Sequence, residues 1–558
     1  MNASRWSGIL GVWVLQALLA SCGGGSSNSS SGSMPPPPPP PPLPVFDPAY
    51  LASAPSPFAA GCDGVAVNGT VYVNAEVEPY VAVDPQNGQR LVAVWQEDRW
   101  STGGARGIIA AASSDGGHTW SRHALPFTRC GGGNSANGGD YERASNAWVT
   151  IGPDGTAHVL ALAFDGQLMA PGSRSAVLAA RSTDGGNSWG ATNALIVDAD
   201  VAFNDKDAIT ADPTDARFVY AVWDRLSTDN LGPTYFSRSA DGGATWQQAR
   251  AIYDPGLTNQ TISNALVVLP NGTLVTMLLE LDATSATTFT AHIAVIRSTD
   301  NGATWSAPVK VADALTVGTR DPDSGASIRD ASLIPEIAVG PGGKLFVVWQ
   351  DSRFSNGARD AVAAAHSDDG GLTWSAPVRV NADASVAAFS PMVHVRSDGV
   401  IGVTYYDFRA NTGSAATLLT DYWLARSSDA VTWQEGQIAG PFDLNLAPVV
   451  TTPGSGDFLG DYQGLGSAGN LFEPLFTQTN AGNATNRTDI YVAPAVSVTA
   501  GVSALQTGAA ISAGAAAESF VVTAQMQQRV SDNLIEAMRR RLPRGAVPQR
   551  QDKPGLDW

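Results

Sequence analysis

The chain has 558 residues, of which 44% are hydrophobic, 15% are charged and 58 are glycine. Its formal net charge of −18 disfavours nucleic acid and anionic lipid as binding partners, because both are polyanions. Few charges, much glycine and many short turns are typical of an all-β protein, and the length is sufficient for one large domain.

Residues 1–21 are typical of a secretory signal peptide: Arg5 supplies the positive charge, and the apolar run 9–20 is too short to span a bilayer. The run closes on the letters LASC, which resemble the lipobox of bacterial lipoproteins. The resemblance implies export, lipidation of Cys22 and anchoring in the cell envelope. Because Gly23 rather than Asp follows the cysteine, it favours the outer membrane. An ordinary signal peptide is the alternative.

Residues 22–60 form a predicted linker. The segment 23–33 is rich in Gly and Ser, and residues 35–42 are eight consecutive prolines. Such a proline run adopts the polyproline II conformation and spans about 25 Å. We therefore expect a tether and a stiff spacer that hold a globular body away from the membrane.

A short pattern of the form Ser-x-Asp-Gly-Gly-x-Thr-Trp, with minor variations, recurs six times along the body. The copies begin at Ser113, Ser182, Ser239, Ser298, Ser367 and Ser427, and the sixth is one residue shorter. A repeat of about 60 residues with strand-like flanks indicates a propeller or a solenoid. The pattern resembles the Asp-box of sialidases and related propellers. The resemblance implies that the Asp, which accepts backbone N–H bonds, and the Trp, which packs between sheets, are structural.

Upstream of each Asp-box lie two apolar strands around a tight turn, as in 79–95 and 335–349. The repeat thus predicts four-stranded antiparallel blades with the Asp-box between the third and fourth strands. A seventh unit begins at Tyr462 and lacks the box, and Val65 to Val73 is expected to supply its fourth strand. We predict an all-β propeller over residues 61–497 with seven blades; six blades, as in sialidases, are the alternative.

An Ala/Gly-rich linker over 498–516, a helix over 517–542 and a disordered tail over 543–558 are expected to follow the propeller. The apolar residues near one face of this helix are Phe520, Ala524, Met526, Val530, Leu534 and Met538. Docking of that face on the propeller is favoured over binding of a partner protein.

Cys62 and Cys130 are predicted to form a disulfide in an oxidising compartment, with two free thiols as the alternative. The six histidines show no zinc-binding spacing, so neither a metal site nor a cofactor is predicted. The alternative is Ca²⁺ on acidic clusters, namely Asp205 with Asp207 and Asp457 with Asp461.

In an antiparallel blade, the Asp-boxes share one face with the short turns between first and second strands. We therefore expect ligands at the opposite face, where the loops are longer. At that face the second strands end in a repeated acid–arginine pattern that contains Arg99, Arg225, Arg353 and Arg409. The connections into the first strands add charged groups at 140–143, 204–207, Arg320, 329–330 and 460–462.

The resemblance to sialidases implies a glycosidase with three arginines on the substrate carboxylate, an Asp acid/base and a Tyr nucleophile. The matching positions are Arg99, Arg353 and Arg409 for the arginines, with Arg225 as a further candidate, Asp98 or Asp207 for the acid/base, and Tyr406 or Tyr462 for the nucleophile. The segment 77–80 lacks the arginine that opens sialidases.

The expected function is therefore a surface-tethered glycoside hydrolase whose partner is a glycan or glycoconjugate, with an exo-sialidase as the candidate type. The alternative is a non-catalytic propeller that binds glycan or protein. In that case each acid–arginine pair is part of the scaffold and either bridges neighbouring blades or caps the turn after the second strand.

Overall fold

A computed structural model describes residues 45–46, 48–66, 68–167, 169–227, 232–256, 258–285, 288–451, 456–496 and 522–541. The predicted signal peptide, the lipidation site Cys22, the linker 498–516 and the tail 543–558 lie outside the described residues, as does most of the linker 22–60. Within the described part of the chain, the single α-helix is not apolar enough over its length to cross a bilayer.

The described chain is all-β apart from one α-helix, and most strands belong to four-stranded antiparallel sheets. Three short strands come first: β1 (Val45–Phe46), β2 (Tyr50–Leu51) and β3 (Val71–Tyr72). The first sheet contains β4 (Val77–Asp84), β5 (Asn87–Trp100), β6 (Ala105–Ser113) and β7 (Ser121–Ala124). The second contains β8 (Arg143–Ile151), β9 (Ala157–Asp165), β10 (Arg174–Ser182) and β11 (Asn193–Ala199).

Four further sheets follow in chain order. The third contains β12 (Ala202–Ala211), β13 (Val219–Ser227), β14 (Thr234–Ser239) and β15 (Arg250–Tyr253). The fourth contains β16 (Asn259–Val268), β17 (Leu274–Ser285), β18 (Thr288–Ser298) and β19 (Val309–Asp313). The fifth contains β20 (Glu336–Val339), β21 (Leu345–Asp351), β22 (Ala361–Ser367) and β23 (Val378–Arg379). The sixth contains β24 (Ala388–Val395), β25 (Ile401–Asp407), β26 (Leu419–Ser427) and β27 (Gln434–Asp443).

The last sheet combines both ends of the described chain. It contains β28 (Gly464–Ala468), β29 (Leu471–Thr479) and β30 (Thr488–Val492), and β2 is its fourth strand. β31 (Ala495–Val496) pairs with β1, and α1 (Ala524–Arg541) ends the described chain. Three short 3₁₀ turns lie at Pro341–Gly343, Arg353–Ser355 and Leu444–Leu446.

The first strands of the sheets lie side by side. Each first strand contacts the first strand of the next sheet, in the order β4, β8, β12, β16, β20, β24 and β28. The last of these, β28, contacts β4 again. Neighbouring sheets bury their apolar faces against each other: Val94 and Val159 share one core cluster, and Val348 and Val403 share another. A single pair, Ala105 with Ala144, joins the first and second sheets along their edges.

The strand that completes the last sheet differs from the predicted one. β2 pairs with β30 through Tyr50 and Val492, and the Ser53 hydroxyl accepts a hydrogen bond from the Ile490 amide at 3.0 Å. β3, inside the predicted segment 65–73, pairs instead with the end of β5. The prediction was wrong because β2 has only two residues and therefore shows no alternation of apolar and polar side chains. The longer segment 65–73 does show such an alternation and is therefore the one that the pattern predicts as the missing strand.

The six Asp-boxes form turns between the third and fourth strands of their sheets. In the second sheet the Ser182 hydroxyl donates to Asp184 at 2.7 Å and accepts from the Gly186 amide at 2.9 Å, while the Ser188 amide donates to Asp184 at 2.9 Å. Hydrogen bonds from Ser188 and Ser182 lower the pKa of Asp184 to about 2. In the shortened sixth box, Ala430 takes the left-handed conformation with φ of 62°.

The helix α1 docks on the fourth and fifth sheets. It begins after Thr523, whose hydroxyl accepts a hydrogen bond from the Met526 amide at 3.2 Å. Val530 and Leu534 are fully buried among residues of these two sheets, whereas Ala524, which was predicted on the same face, is exposed.

Cys62 and Cys130 form a disulfide with their Cα atoms 4.9 Å apart. It joins the loop before β4 to the loop after β7. Beside it, the carboxylate of Asp63 pairs with the Arg106 guanidinium at 3.2 Å. The disulfide thus fastens the segment that follows β2 to the first sheet.

Candidate functional site

In each four-stranded sheet the first strand begins at the face opposite the Asp-boxes, and the second strand ends there. Five of the first strands have an irregular register there, where two residues oppose one on the partner strand. In each irregularity one residue that is not glycine has positive φ: Glu78, Asn146, Lys206, Ser263 and Ser390. Bulges of this kind re-aim side chains, and such backbone conformations cluster at functional sites.

A cavity of about 500 Å³ opens at this face. It has the size of a small-molecule site. Its charged lining residues are Arg99, Glu142, Arg143, Asp205, Lys206, Arg329, Asp330 and Asp461. Its apolar lining residues are Val65, Ala66, Leu162, Phe164, Phe203, Ile262, Leu333, Ile334 and Ala537.

Arg99, at the end of β5, is the arginine of the cavity that lacks a bound carboxylate among the contacts of the described residues. Arg99 is 2% exposed, and its guanidinium donates to Gln96 Oε1 at 2.6 Å and lies 4.7 Å from the centre of the Phe458 ring. Its Nε has no hydrogen-bond partner among the described residues. Burial, together with the nearby Arg329, lowers the pKa of Arg99 to about 10. An anionic ligand would stabilise this buried charge.

Arg329, Lys206 and Asp461 form a buried ionic cluster in the cavity wall. Arg329 donates to both oxygens of Asp461, at 3.1 and 2.8 Å, and the Lys206 ammonium also donates to Asp461. Burial alone would raise the pKa of Asp461, but the two cations hold it far below its usual range. Asp461 therefore stays ionised, and its amide donates to Glu78 Oε1 at 3.1 Å.

Arg143, at the start of β8, pairs with its neighbour Glu142. Two of its nitrogens donate to Glu142 Oε1 at 2.9 and 2.8 Å, and a third donates to the Thr102 hydroxyl at 2.9 Å. The guanidinium lies 4.2 Å from the centre of the Trp100 ring, which fixes its plane. Arg143 and Glu142 together form a rigid, charged edge of the cavity.

Three of the four predicted substrate-binding arginines lie outside the cavity lining. Arg225 makes two hydrogen bonds to Asp198, Arg353 makes two to Asp351, and Arg409 bridges Asp407 and Glu435. Each of these guanidinium groups thus binds nearby carboxylates. Arg225 joins the third sheet to Asp198 of the second, whereas Arg353 and Arg409 bind carboxylates of their own sheets. The cavity brings Arg99 together with Arg143 and Arg329 instead of Arg353 and Arg409.

The predicted nucleophiles and acids are also outside the lining. Tyr406 donates to the Thr477 carbonyl at 2.7 Å and Tyr462 to the Ala147 carbonyl at 3.0 Å, and burial raises the pKa of both phenols well above the usual value. Asp98 accepts from the Asn74 amide at 2.8 Å. Asp207 is 3% exposed, and both its oxygens lack hydrogen-bond partners among the described residues. Burial raises the pKa of both aspartates.

The lining residues that were not predicted as catalytic or substrate-binding come from the connections into the first strands. Glu142 and Arg143 precede or begin β8, Lys206 lies in β12, and Arg329 and Asp461 precede β20 and β28. They share a place in the chain, since each lies within the connection into a first strand or within that strand before its apolar part.

Within the described ranges, no group of three His, Cys, Asp or Glu side chains could hold a metal ion. One of the two acidic clusters considered for Ca²⁺ contains Asp457 and Asp461. In this cluster the Asp461 carboxylate is already bound by Arg329 and Lys206. Burial raises the pKa of its sequence neighbour Asp457 to about 6. Among the three arginines that line the cavity, Arg99 is therefore the one without a carboxylate partner in the described chain.

No family model matches the chain. Solved structures similar to it include the α-L-arabinofuranosidase Arb93A of Fusarium graminearum, with 9% identity over 64% of this chain and 92% of that one and a TM-score of 0.42. An α-L-arabinanase of Penicillium chrysogenum has 13% identity over 80% and 98%, with a TM-score of 0.41. The Trypanosoma rangeli sialidase has 14% identity over 75% and 55%, with a TM-score of 0.39. Similarities at this level do not assign a function to the chain.

Proposed function

We propose that the chain is a seven-bladed β-propeller that binds a glycan bearing a carboxylate in the cavity opposite its Asp-boxes. The blade number is supported by the chain of contacts that runs from β4 through β28 and back to β4. The binding function rests on one observation: within the described chain, the buried Arg99 guanidinium in the cavity has an unpartnered Nε and donates to Gln96 rather than to a carboxylate. Guanidinium is the group that binds carboxylates most specifically.

The ligand class is inferred from the Asp-boxes together with the site. The resemblance of the six boxes to those of sialidases favours an acidic sugar over other carboxylates. The cavity of about 500 Å³ suits a ligand of one or two sugar residues in volume.

Hydrolysis of that glycan is the second candidate function, because four carboxylates line the same cavity as Arg99, namely those of Glu142, Asp205, Asp330 and Asp461. A glycosidase needs one carboxyl that is protonated and one that is ionised. Arg143 pairs with Glu142, and Arg329 and Lys206 pair with Asp461. Asp205 accepts a hydrogen bond from the Asn146 side chain at 2.8 Å and Asp330 one from the Gln350 side chain at 2.8 Å, so all four carboxylates already have partners in the chain. Recognition without turnover is therefore the leading proposal.

We further propose that the protein is exported and anchored by a lipid at Cys22, with the proline run as its spacer. Support comes from the lipobox-like letters LASC and from the disulfide, which is typical of oxidising compartments. Labelling of the expressed protein with a radioactive fatty acid would test this, and a Cys22→Ala variant that incorporates as much label as wild type would contradict it.

Calorimetric titration of the folded chain with N-acetylneuraminate tests the binding proposal. We expect wild type to bind, and Arg99→Ala to weaken binding by about 10- to 100-fold, since one charged hydrogen-bond donor is removed. Arg225→Ala is the matched control, because Arg225 pairs with Asp198 and does not line the cavity. Equal affinities for wild type and Arg99→Ala would refute the proposal. A fluorogenic sialoside run beside it separates the candidates: turnover that Arg99→Ala abolishes would favour the hydrolase.

A further inference from the structure

A second cavity, of about 550 Å³, lies between the sixth sheet and the last one. Because β26 begins, and β27 and β29 end, at the face opposite the Asp-boxes, this cavity opens at the same face as the cavity that Arg99 lines. The acidic and amide side chains of its lining are Asp443, Gln478, Asn480, Asn483, Asn486 and Asp489. The two cavities share no lining residue, so the second one is a separate candidate site.

Four of these polar side chains fix the loop between β29 and β30. The Asn480 side chain donates to the Asn486 carbonyl oxygen at 3.2 Å and to Asp489 Oδ2 at 2.6 Å. Asn483 Oδ1 accepts from the Asn486 amide at 3.0 Å, and the Ser53 hydroxyl donates to Asp489 at 3.0 Å. Because these groups bond to one another, the loop needs no ligand to take its shape. A ligand that binds here therefore meets a pre-formed surface.

Three further polar groups of the lining remain for a ligand. Within the described chain, the side-chain amide of Gln478 makes no hydrogen bond, and Asn483 Nδ2 donates none. Asp443 Oδ1 accepts from the Leu418 amide at 2.8 Å and from the Asn445 amide at 3.1 Å, whereas its Oδ2 accepts from no group of the described chain. These groups include both donors and acceptors, and a hydroxyl group can bond to either kind.

No cation lines the second cavity among the described residues, and its ionisable side chains are the carboxylic acids of Asp443 and Asp489. The arginine of the same loop, Arg487, donates to the Leu446 carbonyl oxygen at 3.1 Å. An anionic ligand would be repelled by the two acidic groups and would find no cation to offset the burial of its charge. The second cavity therefore disfavours the carboxylate that suits Arg99 in the first one.

An apolar surface adjoins the polar groups of the second cavity. Phe442 is buried, Leu419 is half-buried, and Pro441 and Ala481 are exposed, and all four line the cavity. A sugar ring has C–H groups on its faces and hydroxyl groups around its edge, so it can contact an apolar surface and polar groups at the same time. A few placed polar groups beside apolar side chains are typical of small-molecule sites of this volume.

We propose that this second cavity binds a neutral sugar residue. Hydroxyl groups of the sugar bond to Asp443, Gln478 and Asn483, and the face of its ring packs against Phe442. The proposal does not depend on the proposed function, because its ligand carries no carboxylate and Arg99 has no part in binding it.

Saturation-transfer NMR of the folded chain tests this proposal with three neutral probes, the methyl glycosides of glucose, galactose and mannose. We expect wild type to bind at least one of them with a Kd of about 1 mM. Gln478→Ala should weaken that binding about fivefold, since one hydrogen bond is lost, and Asp443→Asn should do the same because an acceptor becomes a donor. Gln525→Ala, on the exposed first turn of α1, is the matched control and should leave the affinity unchanged.

Two comparisons place the bound sugar. Arg99→Ala should leave the affinity for the neutral glycoside unchanged, and Gln478→Ala should leave that for N-acetylneuraminate unchanged. If wild type binds none of the three glycosides, or if Arg99→Ala rather than Gln478→Ala removes their binding, the proposal is overturned. If N-acetylneuraminate fails to bind while a glycoside binds as expected, the proposed function fails and this proposal stands.

The charge of the ligand is tested with methyl glucosaminide, which carries an ammonium group in place of one hydroxyl group. We expect it to bind within about threefold of methyl glucoside. Binding more than about tenfold tighter than that of every neutral glycoside would show that the cavity selects a cation, and the proposal would be overturned. If Asp443→Asn lowers the melting temperature, Gln478→Ala decides alone, because it removes no hydrogen bond within the described chain.

Discussion

Arg329 donates two hydrogen bonds to the carboxylate of Asp461, although the two residues precede strands of different sheets, β20 and β28. Lys206 of a third sheet donates to the same carboxylate. One anion in the cavity wall thus connects three sheets, and its removal would leave two buried cations without their shared partner.

We therefore expect Asp461→Asn to lower the free energy of unfolding by about 3 kcal/mol, the usual consequence of breaking a buried ion pair from one side. Urea titration at neutral pH measures the loss. Because the folded-state pKa of Asp461 lies below the unfolded value, this stabilisation is complete above about pH 4 and is lost as the pH falls further. Asp313→Asn, at an exposed pair with Lys310, is the control, and an equally large effect there would contradict the explanation.

Substitution of Arg409 is expected to lower stability without weakening ligand binding, because Arg409 stabilises the scaffold and does not line the cavity. Its guanidinium bonds to Asp407 and Glu435 and lies 3.7 Å from the centre of the Trp423 ring. We expect Arg409→Ala to lower the free energy of unfolding by about 1.5–3 kcal/mol, as for hydrogen bonds between charged groups. The affinity for N-acetylneuraminate should stay within about twofold of wild type. A large loss of affinity in the folded variant would restore Arg409 as a ligand-binding residue.

The stability of the junction between the first and last sheets should depend on pH through Glu97. Burial, and then the nearby Asp98, raises the pKa of Glu97 to about 8, and burial and Glu97 likewise raise the pKa of Glu76. The folded chain therefore binds protons that the unfolded chain has released above about pH 4.5, and stability falls as the pH rises from there toward 8.

Glu97→Gln keeps a neutral side chain at all pH values and should flatten that decline. The midpoint of urea unfolding, measured between pH 5 and 8.5, should fall less steeply in the variant than in wild type. The dependence will not vanish, because Glu76 still titrates beside Asp489 and Arg122. Parallel profiles for the two proteins would show that Glu97 is ionised in the folded state throughout this range.

The disulfide should contribute measurably to stability, since it closes a loop between residues 68 positions apart. The chain-entropy model gives about 4 kcal/mol for a loop of this length, as an upper value. We expect Cys62→Ser with Cys130→Ser to unfold at lower urea concentration than wild type. Wild type treated with a reducing agent should match the double variant, and an unchanged midpoint under reduction would exclude a stabilising role.

Regular repetition made the sheets predictable from the sequence. The Asp-box fixes the turn between third and fourth strands through contacts within five residues, so the pattern Ser182 to Ser188 already specifies its hydrogen bonds. The two-residue strand β2 could not be found in this way. Its pairing with β30 depends on a partner more than 400 residues away and on the Ser53 hydroxyl.

The face that carries the site could be predicted from the sequence, but the residues that line the cavity could not. The arginines at the ends of the second strands share one pattern, yet Arg353 and Arg409 have carboxylates within reach, whereas Arg99 faces Gln96. The sequence places an acid beside all of them, so only the directions of the side chains separate them. Arg329 and Asp461 are 132 residues apart, and their pairing depends on how the sheets are arranged.

The pairing of β2 with β30 has a consequence for the shortest form of the chain that can stay monomeric. Removal of residues 1–60 would take away β2 and leave the backbone N–H and C=O groups of β30 along an open edge. Such an edge accepts strands from other molecules. A form that starts at the first Asp-box sheet should therefore self-associate through its last sheet, and a peptide covering residues 45–60, supplied in trans, should restore the monomer.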